Sequence, residues 1–170
     1  MPKIIENVRG RLLAEAKKQI SERGYSNTTV RSVAGECGLA AGTVYNYFSS
    51  KDMLIASFML EDWKKCIAEN EPDRRDDPEG LLRGIYTALH SFTDIYRKLF
   101  SDSDAAKVFA TVFSERHKLL RDQLALMILP VCTGDNKEFI SLFVAESLIT
   151  WTVAGISFEE IYCVLKKLFK

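Results

Sequence analysis

The segment from Thr28 to Lys51, TTVRSVAGECGLAAGTVYNYFSSK, limits the fold of this chain more than any other part of the sequence. Threonine is a preferred residue at the start of a helix, and Gly38 suits the end of one because glycine adopts left-handed backbone angles without strain. Two short helices joined by a tight turn are therefore predicted, with Val33 in the first and Val44 in the second facing inward. This order of elements is typical of a helix-turn-helix.

The rest of the chain is predicted to be helical, because apolar residues recur at spacings of three and four and no strand-length alternation occurs. Gly24 is the expected stop of the first helix. The segment Glu69–Gly80, ENEPDRRDDPEG, is the clearest linker, and its Pro78 suits the first position of the next helix. The helices before the C-terminal pair are predicted over about residues 3–23, 28–37, 40–48, 50–68, 78–100 and 105–129.

Two further helices are predicted at the C-terminal end. The one from Phe139 to Val153 is apolar around most of its circumference, which predicts that it is buried on two sides. Ser157 and Glu160 have the spacing of a capping box and start the last helix. The fold class expected for the chain is therefore all-α.

Composition excludes several classes of protein. The 170 residues carry no net charge, yet residues 1–65 hold ten Lys or Arg against seven Asp or Glu, and the remainder has the opposite excess. A mildly basic first part joined to a mildly acidic second part suits a DNA-binding domain followed by another module. No apolar run is long enough for a membrane span, and no apolar signal segment opens the chain, so a cytoplasmic protein without membrane contact is expected.

The four cysteines predict neither a metal site nor a disulfide framework. None of them belongs to a C-x-x-C pair, and both histidines are distant in sequence. Scattered cysteines of this kind are usually small buried hydrophobes. We therefore expect no metal and no cofactor. The cysteines are Cys37, Cys66, Cys132 and Cys163.

The residues of the opening segment resemble the TetR family of transcriptional regulators. The resemblance covers about residues 5–60 and is carried by Gly24-Tyr25, Thr28-Thr29-Val30-Arg31, Val33-Ala34, Gly38-Leu39, Gly42-Thr43-Val44-Tyr45-Asn46-Tyr47-Phe48 and Ser50-Lys51. It implies a three-helix helix-turn-helix DNA-binding domain over residues 1–50. It also implies a helical ligand-binding and dimerisation domain over residues 51–170.

The resemblance also implies which residues contact DNA. Thr43 is the candidate for a base edge, and Tyr45, Asn46 and Tyr47 for phosphates and neighbouring bases. Lys51, in the first turn of the fourth helix, matches a phosphate contact, where an anion would offset the unfavourable position of a cation beside the positive end of the helix dipole. The predicted DNA face is Thr28, Thr29, Arg31, Ala40, Ala41, Gly42, Thr43, Tyr45, Asn46, Tyr47 and Lys51.

Ala40 and Ala41 depart from the family pattern, which usually has polar residues at these two positions. Neither alanine side chain can form a hydrogen bond, so the third helix loses a cap worth roughly 1 kcal/mol. The side-chain contact left to them is one between a methyl group and thymine. Gly42, next in the sequence, has no side chain and would permit the backbone to approach DNA closely.

In the second domain, the resemblance implies a pocket for an apolar or aromatic effector. Its candidate lining is Tyr86, Phe92, Tyr96, Phe113 and Trp151, and the alternative for each of these residues is plain hydrophobic core. The last two helices, within residues 137–170, are expected to join two copies of the chain. The expected partners are thus a DNA operator, a second copy and an unknown small molecule.

The leading hypothesis is a dimeric, ligand-responsive repressor that reads a palindromic operator through the major groove. An all-helical enzyme would need a convergent acid, base or metal cluster, and no such motif occurs, so an enzyme is not expected. A protein-interaction module with a degenerate helix-turn-helix stays open because of Ala40 and Ala41. A TetR-like activator is the remaining alternative.

Overall fold

The computed structural model describes residues 7–70 and 77–169, and within residues 104–116 it describes the backbone alone. The described residues are helical without strands, which confirms the all-α fold class. The helices are α1 Val8–Arg23, α2 Val30–Glu36, α3 Ala41–Tyr45, α4 Lys51–Glu69, α5 Pro78–Phe100, α6 Ser103–Ile128, α7 Lys137–Val153 and α8 Phe158–Leu165, with short 3-10 turns at Leu129–Val131 and Lys166–Phe169.

Helix α1 ends where the sequence predicted. Gly24 has φ 77°, and its backbone N–H donates to the carbonyl of Ile20 at 3.0 Å. At the other end, Asn7 caps the helix by accepting a hydrogen bond from the Gly10 N–H at 3.1 Å. The predicted start near Lys3 lies outside the described residues.

Helix α3 is shorter than predicted. It covers Ala41–Tyr45, whereas the sequence suggested residues 40–48. Beyond Tyr45 the backbone tightens, because the N–H groups of Tyr47 and Phe48 both donate to the carbonyl of Val44, at 3.0 and 2.9 Å. The tightened turn ends the helix and leaves the Phe48 side chain in the core.

The starts of α4 and α5 follow their capping residues. Ser50 caps α4, since its hydroxyl accepts from the Met53 N–H at 3.1 Å. Pro78 is the first residue of α5, as predicted, and the preceding Asp77 accepts from the Gly80 N–H at 3.0 Å. Residues 71–76 of the predicted linker lie outside the described part of the chain.

The chain divides into two compact units. Unit 1 consists of Met1–Asp62 and Tyr96–Val112, and unit 2 of Trp63–Ile95 and Phe113–Lys170. The core of unit 1 is formed by apolar side chains of the first four helices, among them Leu12, Ala16, Val33, Val44, Leu54 and Ile55. The core of unit 2 includes Leu82, Ile85, Leu124, Ile128, Leu148, Ile161 and Leu165.

Helix α7 is buried on one side only within the single chain, although the sequence predicted burial on two. Its inner face packs into the core of unit 2 through Val144 and Leu148. On the opposite face Phe139 is 69% exposed and Phe143 46%. This second apolar face is exposed because no element among the described residues of the chain covers it.

The start of α8 confirms the predicted capping box. The Ser157 hydroxyl accepts from the Glu160 N–H, and the Glu160 carboxylate accepts from the Ser157 N–H at 3.2 Å. Hydrogen bonds to Ser157 lower the pKa of the Glu160 carboxyl. Before this cap, Gly155 closes α7 with φ 79°, and its neighbour Ile156 donates to the carbonyl of Trp151 at 2.9 Å.

Candidate nucleic-acid interface

The turn between α2 and α3 has a complete set of backbone hydrogen bonds. Gly38 has φ 67°, and its N–H donates to the Gly35 carbonyl at 3.0 Å, while the Leu39 N–H donates to Ala34 at 2.9 Å. These two bonds form a Schellman motif, in which a left-handed residue reverses the chain and satisfies the last carbonyls of the helix. A side chain at position 38 would strain the backbone, so the glycine fixes the direction in which α3 leaves α2.

Thr29, and not Thr28, caps α2. The Thr29 hydroxyl accepts from the Ser32 N–H at 2.9 Å, and the Ser32 hydroxyl accepts from the Thr29 N–H at 3.0 Å. Thr28 is only 1% exposed, and its hydroxyl donates to the Gly24 carbonyl at 2.9 Å. The prediction that Thr28 contacts DNA is therefore wrong for its side chain as it stands in this structure, because neither its methyl nor its hydroxyl reaches the surface.

A buried polar network holds α1 against this cap. Gln19 is fully buried; its amide N–H donates to Glu15 at 2.8 Å, and its carbonyl oxygen accepts from the Ser32 hydroxyl at 2.6 Å. A buried amide without partners would cost free energy, so the network is satisfied only when α1 and α2 are in this register. Gln19 was not predicted as a core residue, although its place beside Ile20 on the inner face of α1 was the available signal.

Helix α3 separates core residues from exposed ones. Val44 is fully buried and Phe48 nearly so, whereas Tyr45 is 55% and Tyr47 47% exposed. Asn46 is exposed as well. The predictions that Val44 and Phe48 anchor the helix and that the two tyrosines face outward are both confirmed.

The start of α3 exposes small residues. Ala40 occupies the N-cap position and makes no side-chain capping hydrogen bond, as predicted. Ala40 and Gly42 are exposed, and Ala41 and Thr43 are partly exposed. A Cβ atom built on Gly42 would meet no protein atom within 4 Å. The packing of the chain therefore does not require glycine at position 42.

Lys51 is held by Tyr25. Its ammonium donates to the Tyr25 carbonyl at 3.0 Å and lies 3.6 Å from the centre of the Tyr25 ring, a cation–π contact. The Tyr25 hydroxyl in turn donates to Asp52 at 2.6 Å. Partial burial lowers the pKa of Lys51, while the negative charges of Asp52 and Asp102 raise it by a smaller amount.

This cluster joins the loop after α1 to the first turn of α4. A phosphate contact was predicted for Lys51, whereas no role was predicted for Tyr25 or Asp52. An ammonium has three N–H donors, and the Tyr25 carbonyl takes one of them. Lys51 thus has a structural role in unit 1 and keeps donor capacity for a further oxygen.

Other basic groups of unit 1 make contacts within the protein. Arg11 donates to the Cys37 carbonyl at 2.9 Å, Arg9 pairs with Glu61 at 2.5 Å, and Lys17 pairs with Asp62 at 2.7 Å. Arg31 is exposed on α2. The exposed and partly exposed residues from Ala40 to Tyr47 are uncharged, and their chemistry is that of hydroxyls, an amide, aromatic rings and methyl groups.

The residues predicted to line an effector pocket fall in different units. In unit 2, Phe92 packs edge-on against Trp63 at 5.8 Å, Trp151 is partly buried, and the Tyr86 hydroxyl donates to the Ile156 carbonyl at 3.2 Å. Tyr96 belongs to unit 1, where it stacks on Phe58 at 6.1 Å and donates to Asp62. The side chain of Phe113 lies outside the described residues.

The cysteines have the environments expected of core residues, with one exception. Cys37, Cys66 and Cys132 are buried, Cys163 is exposed, and none of the four forms a disulfide. Burial raises the pKa of the Cys37 and Cys132 thiols, which makes them poorer nucleophiles at neutral pH. No group of metal-ligating side chains occurs among residues 7–70 and 77–169 where side chains are described, and no helix there is long and apolar enough to cross a membrane.

The region that contains these helices matches a known family. Residues 12–58, from α1 into α4, match the profile of "Bacterial regulatory proteins, tetR family". These residues therefore form a TetR-family DNA-binding domain. The chain is accordingly a DNA-binding transcriptional regulator, as the resemblance in its sequence implied.

Curated relatives within the TetR family agree with this assignment. The transcriptional repressor Rv1474c of Mycobacterium tuberculosis is 28% identical over 134 residues, which cover 73% of this chain and 70% of the relative. HbdR of Aromatoleum is 37% identical over 90 residues, 53% of this chain and 38% of the relative. UidR of Escherichia coli is 32% identical over 60 residues, 35% of this chain and 31% of the relative. The matched part of this chain therefore spans less than two fifths of HbdR and of UidR.

Solved structures of TetR-family proteins share the fold along nearly the whole chain. A TetR-family regulator from Streptomyces coelicolor has a TM-score of 0.60 at 15% identity, covering 94% of this chain and 90% of its own. AlkX from Dietzia, a repressor implicated in biodegradation of n-alkanes, has a TM-score of 0.59 at 18% identity, covering 94% and 98%. At these identities the likeness establishes the fold alone.

Proposed function

We propose that this TetR-family regulator is a homodimeric repressor that binds a palindromic operator and releases it when a small effector binds. The observation that carries the proposal is the division of α3 into a buried anchor and an exposed face. Val44 and Phe48 fix the helix to the core, while Tyr45, Asn46 and Tyr47 face outward. A short helix anchored in this way can enter the major groove as a rigid element.

The proposed DNA face follows from exposure. Thr43, Asn46 and the alanines at the start of α3 are assigned to base edges. Groups at the starts of α2 and α4 are assigned to phosphates, where helix N-termini favour anions. Thr28 is left out because it is buried. The face comprises Thr29, Arg31, Ala40, Ala41, Gly42, Thr43, Tyr45, Asn46, Tyr47 and Lys51.

Dimerisation through residues 137–170 is proposed from the second apolar face of α7. An exposed apolar stripe on a helix marks an interaction site, and closed two-fold symmetry is the commonest arrangement of identical chains. Two copies would present their α3 helices to half-sites about one helical turn, roughly 34 Å, or a multiple apart. The operator would then have matching palindromic symmetry.

Regulation is assigned to the region after residue 50, in which residues 51–170 bind effector and partner. Residues 1–50 bind DNA together with Lys51, at the start of α4. Tyr86, Phe92 and Trp151 of unit 2 remain the proposed lining for an apolar or aromatic effector. An effector that binds better to the DNA-free state would lower operator affinity by linkage. A regulator that acts on DNA would work in the cytoplasm.

Selection from a random-sequence duplex pool tests the proposal. Wild-type protein should enrich a palindromic site, and the complex should weaken as salt rises. Truncating Tyr45 and Tyr47 to alanine should remove the enrichment, whereas truncating the exposed Leu119 of unit 2 should not. Enrichment of sites without a palindrome, or equal enrichment by the variant that lacks both tyrosines, would contradict the proposed DNA face.

One observation favours a second candidate, a helical interaction module whose helix-turn-helix no longer reads DNA. Ala40 neither caps α3 nor offers a hydrogen bond to a base. If the wild-type protein retains no duplex from the same pool even at low salt, this second candidate is supported. An activator would bind DNA as the repressor does, and a reporter gene under the selected operator separates the two by the sign of the response.

A further inference from the structure

Glu146 lies in the middle of the exposed apolar stripe of α7. At 100° per residue, Phe139, Phe143, Glu146, Thr150 and Val153 fall on one side of the helix. Phe139 and Val153 are 69% and 61% exposed, and the Glu146 side chain is 44% exposed. A carboxylate at this position conflicts with burial of the stripe, because burying a charged group without partners is costly.

His117 of α6 reaches this carboxylate. Its Nε2 lies 3.0 Å from each of the two Glu146 oxygens. A carboxylate only accepts hydrogen bonds, so the imidazole Nε2–H is the donor. Both side chains remain partly exposed in the single chain, at 41% for His117 and 44% for Glu146.

A two-fold interface raises the free-energy cost of burying the Glu146 carboxylate. Such an interface uses the same patch on both chains, so a Glu146 near the symmetry axis would approach the partner's Glu146. Like charges close together in a region shielded from water repel strongly. A hydrogen-bond donor from within each chain would remove much of this penalty before the second copy arrives.

We propose that His117 is a positioning residue of the homodimer interface, which holds and compensates Glu146 so that the apolar stripe of α7 can be buried against a second copy of this chain. This inference rests on the proposed homodimer. The hydrogen bond between His117 and Glu146 lowers the cost of burying a carboxylate, which the apolar residues around it cannot do. It also explains why an acidic residue is compatible with an apolar stripe.

Subunit exchange tests the inference with the full-length protein. Two pools labelled with different fluorophores are mixed, and the growth of energy transfer measures dimer dissociation. His117→Ala should exchange at least about tenfold faster than wild type, because it leaves the carboxylate uncompensated. Combining it with Glu146→Gln should return the rate to within about threefold of wild type, since the charge is then gone. Lys118→Ala, a change at the exposed neighbour on α6, is the control and should exchange like wild type.

The outcomes separate the inference from the dimer on which it rests. If Phe143→Arg accelerates exchange but His117→Ala does not, the dimer stands and the role of His117 is refuted. If His117→Ala and the double variant are equally fast, the histidine acts by packing and not by compensating the charge, which also overturns the inference. A monomeric wild type in sedimentation, or a Phe143→Arg variant that stays dimeric and exchanges like wild type, would refute the proposed interface itself.

Discussion

Gly42→Ala should change protein stability and DNA affinity in opposite directions. Gly42 is the second residue of α3 and does not have a positive φ, and an added Cβ would meet nothing within 4 Å. Alanine therefore fits without strain, and its better helix propensity should raise the free energy of unfolding by about 0.5 kcal/mol. The same methyl group would stand where we propose that the backbone approaches DNA, so operator affinity should fall on the order of tenfold, or about 1.4 kcal/mol.

Gly35→Ala provides a matched control. Gly35 is exposed on α2 and does not have a positive φ. As at Gly42, no protein atom lies within 4 Å of the position that a Cβ would take. It should gain a similar stability and bind the operator like wild type. Urea unfolding gives the stabilities, and fluorescence anisotropy with the selected duplex gives the affinities. Equal or tighter DNA binding by Gly42→Ala would refute the close approach, and a loss of stability would refute the account of the local backbone.

Three other substitutions test single contacts. Lys51→Ala should weaken binding to all duplexes alike and reduce the slope of log affinity against log salt by about two, one for each half-site of the operator. A salt titration measures this slope, and an unchanged slope would exclude a phosphate contact. Ala40→Ser should supply the missing cap of α3 and stabilise the protein by about 1 kcal/mol in urea unfolding. The pKa of the Glu160 carboxyl is lowered in the folded state, so its ionised form adds to the free energy of unfolding. This contribution is fully present above the ordinary pKa of 4.5 and is lost as the pH falls through the folded-state pKa. Glu160→Gln should therefore flatten this part of the curve of stability against pH.

Local signals predicted most of the helix boundaries. Gly24, Gly38 and Pro78 act within one turn of their own positions, and the helices end or begin where these residues stand. The choice between Thr28 and Thr29 was different, because both are good capping residues. It depends on where the chain emerges from the loop after α1, which leaves Thr28 buried and Thr29 at the helix start.

Contacts between distant helices were not predictable from the sequence. Gln19 is buried because Ser32, thirteen residues later and in another helix, supplies its partner. Lys51 similarly contacts Tyr25 twenty-six residues earlier. Periodicity identifies which face of a helix points inward, but it does not identify the residue on the other element that satisfies a buried polar group.

Helix α3 depends on the rest of unit 1 for its own structure. Five residues are far too few to form a stable helix in water, and α3 also lacks a side-chain cap. What holds it is the hydrogen-bonded turn at Gly38 on one side and the burial of Val44 and Phe48 on the other. Because the core supplies this support, the exposed residues of α3 contribute little to holding it in place. Positions 40 to 43 can therefore carry small residues without unfolding α3, although the uncapped Ala40 costs about 1 kcal/mol. In the proposed DNA complex, the operator sequence would be read by side chains that the core does not need.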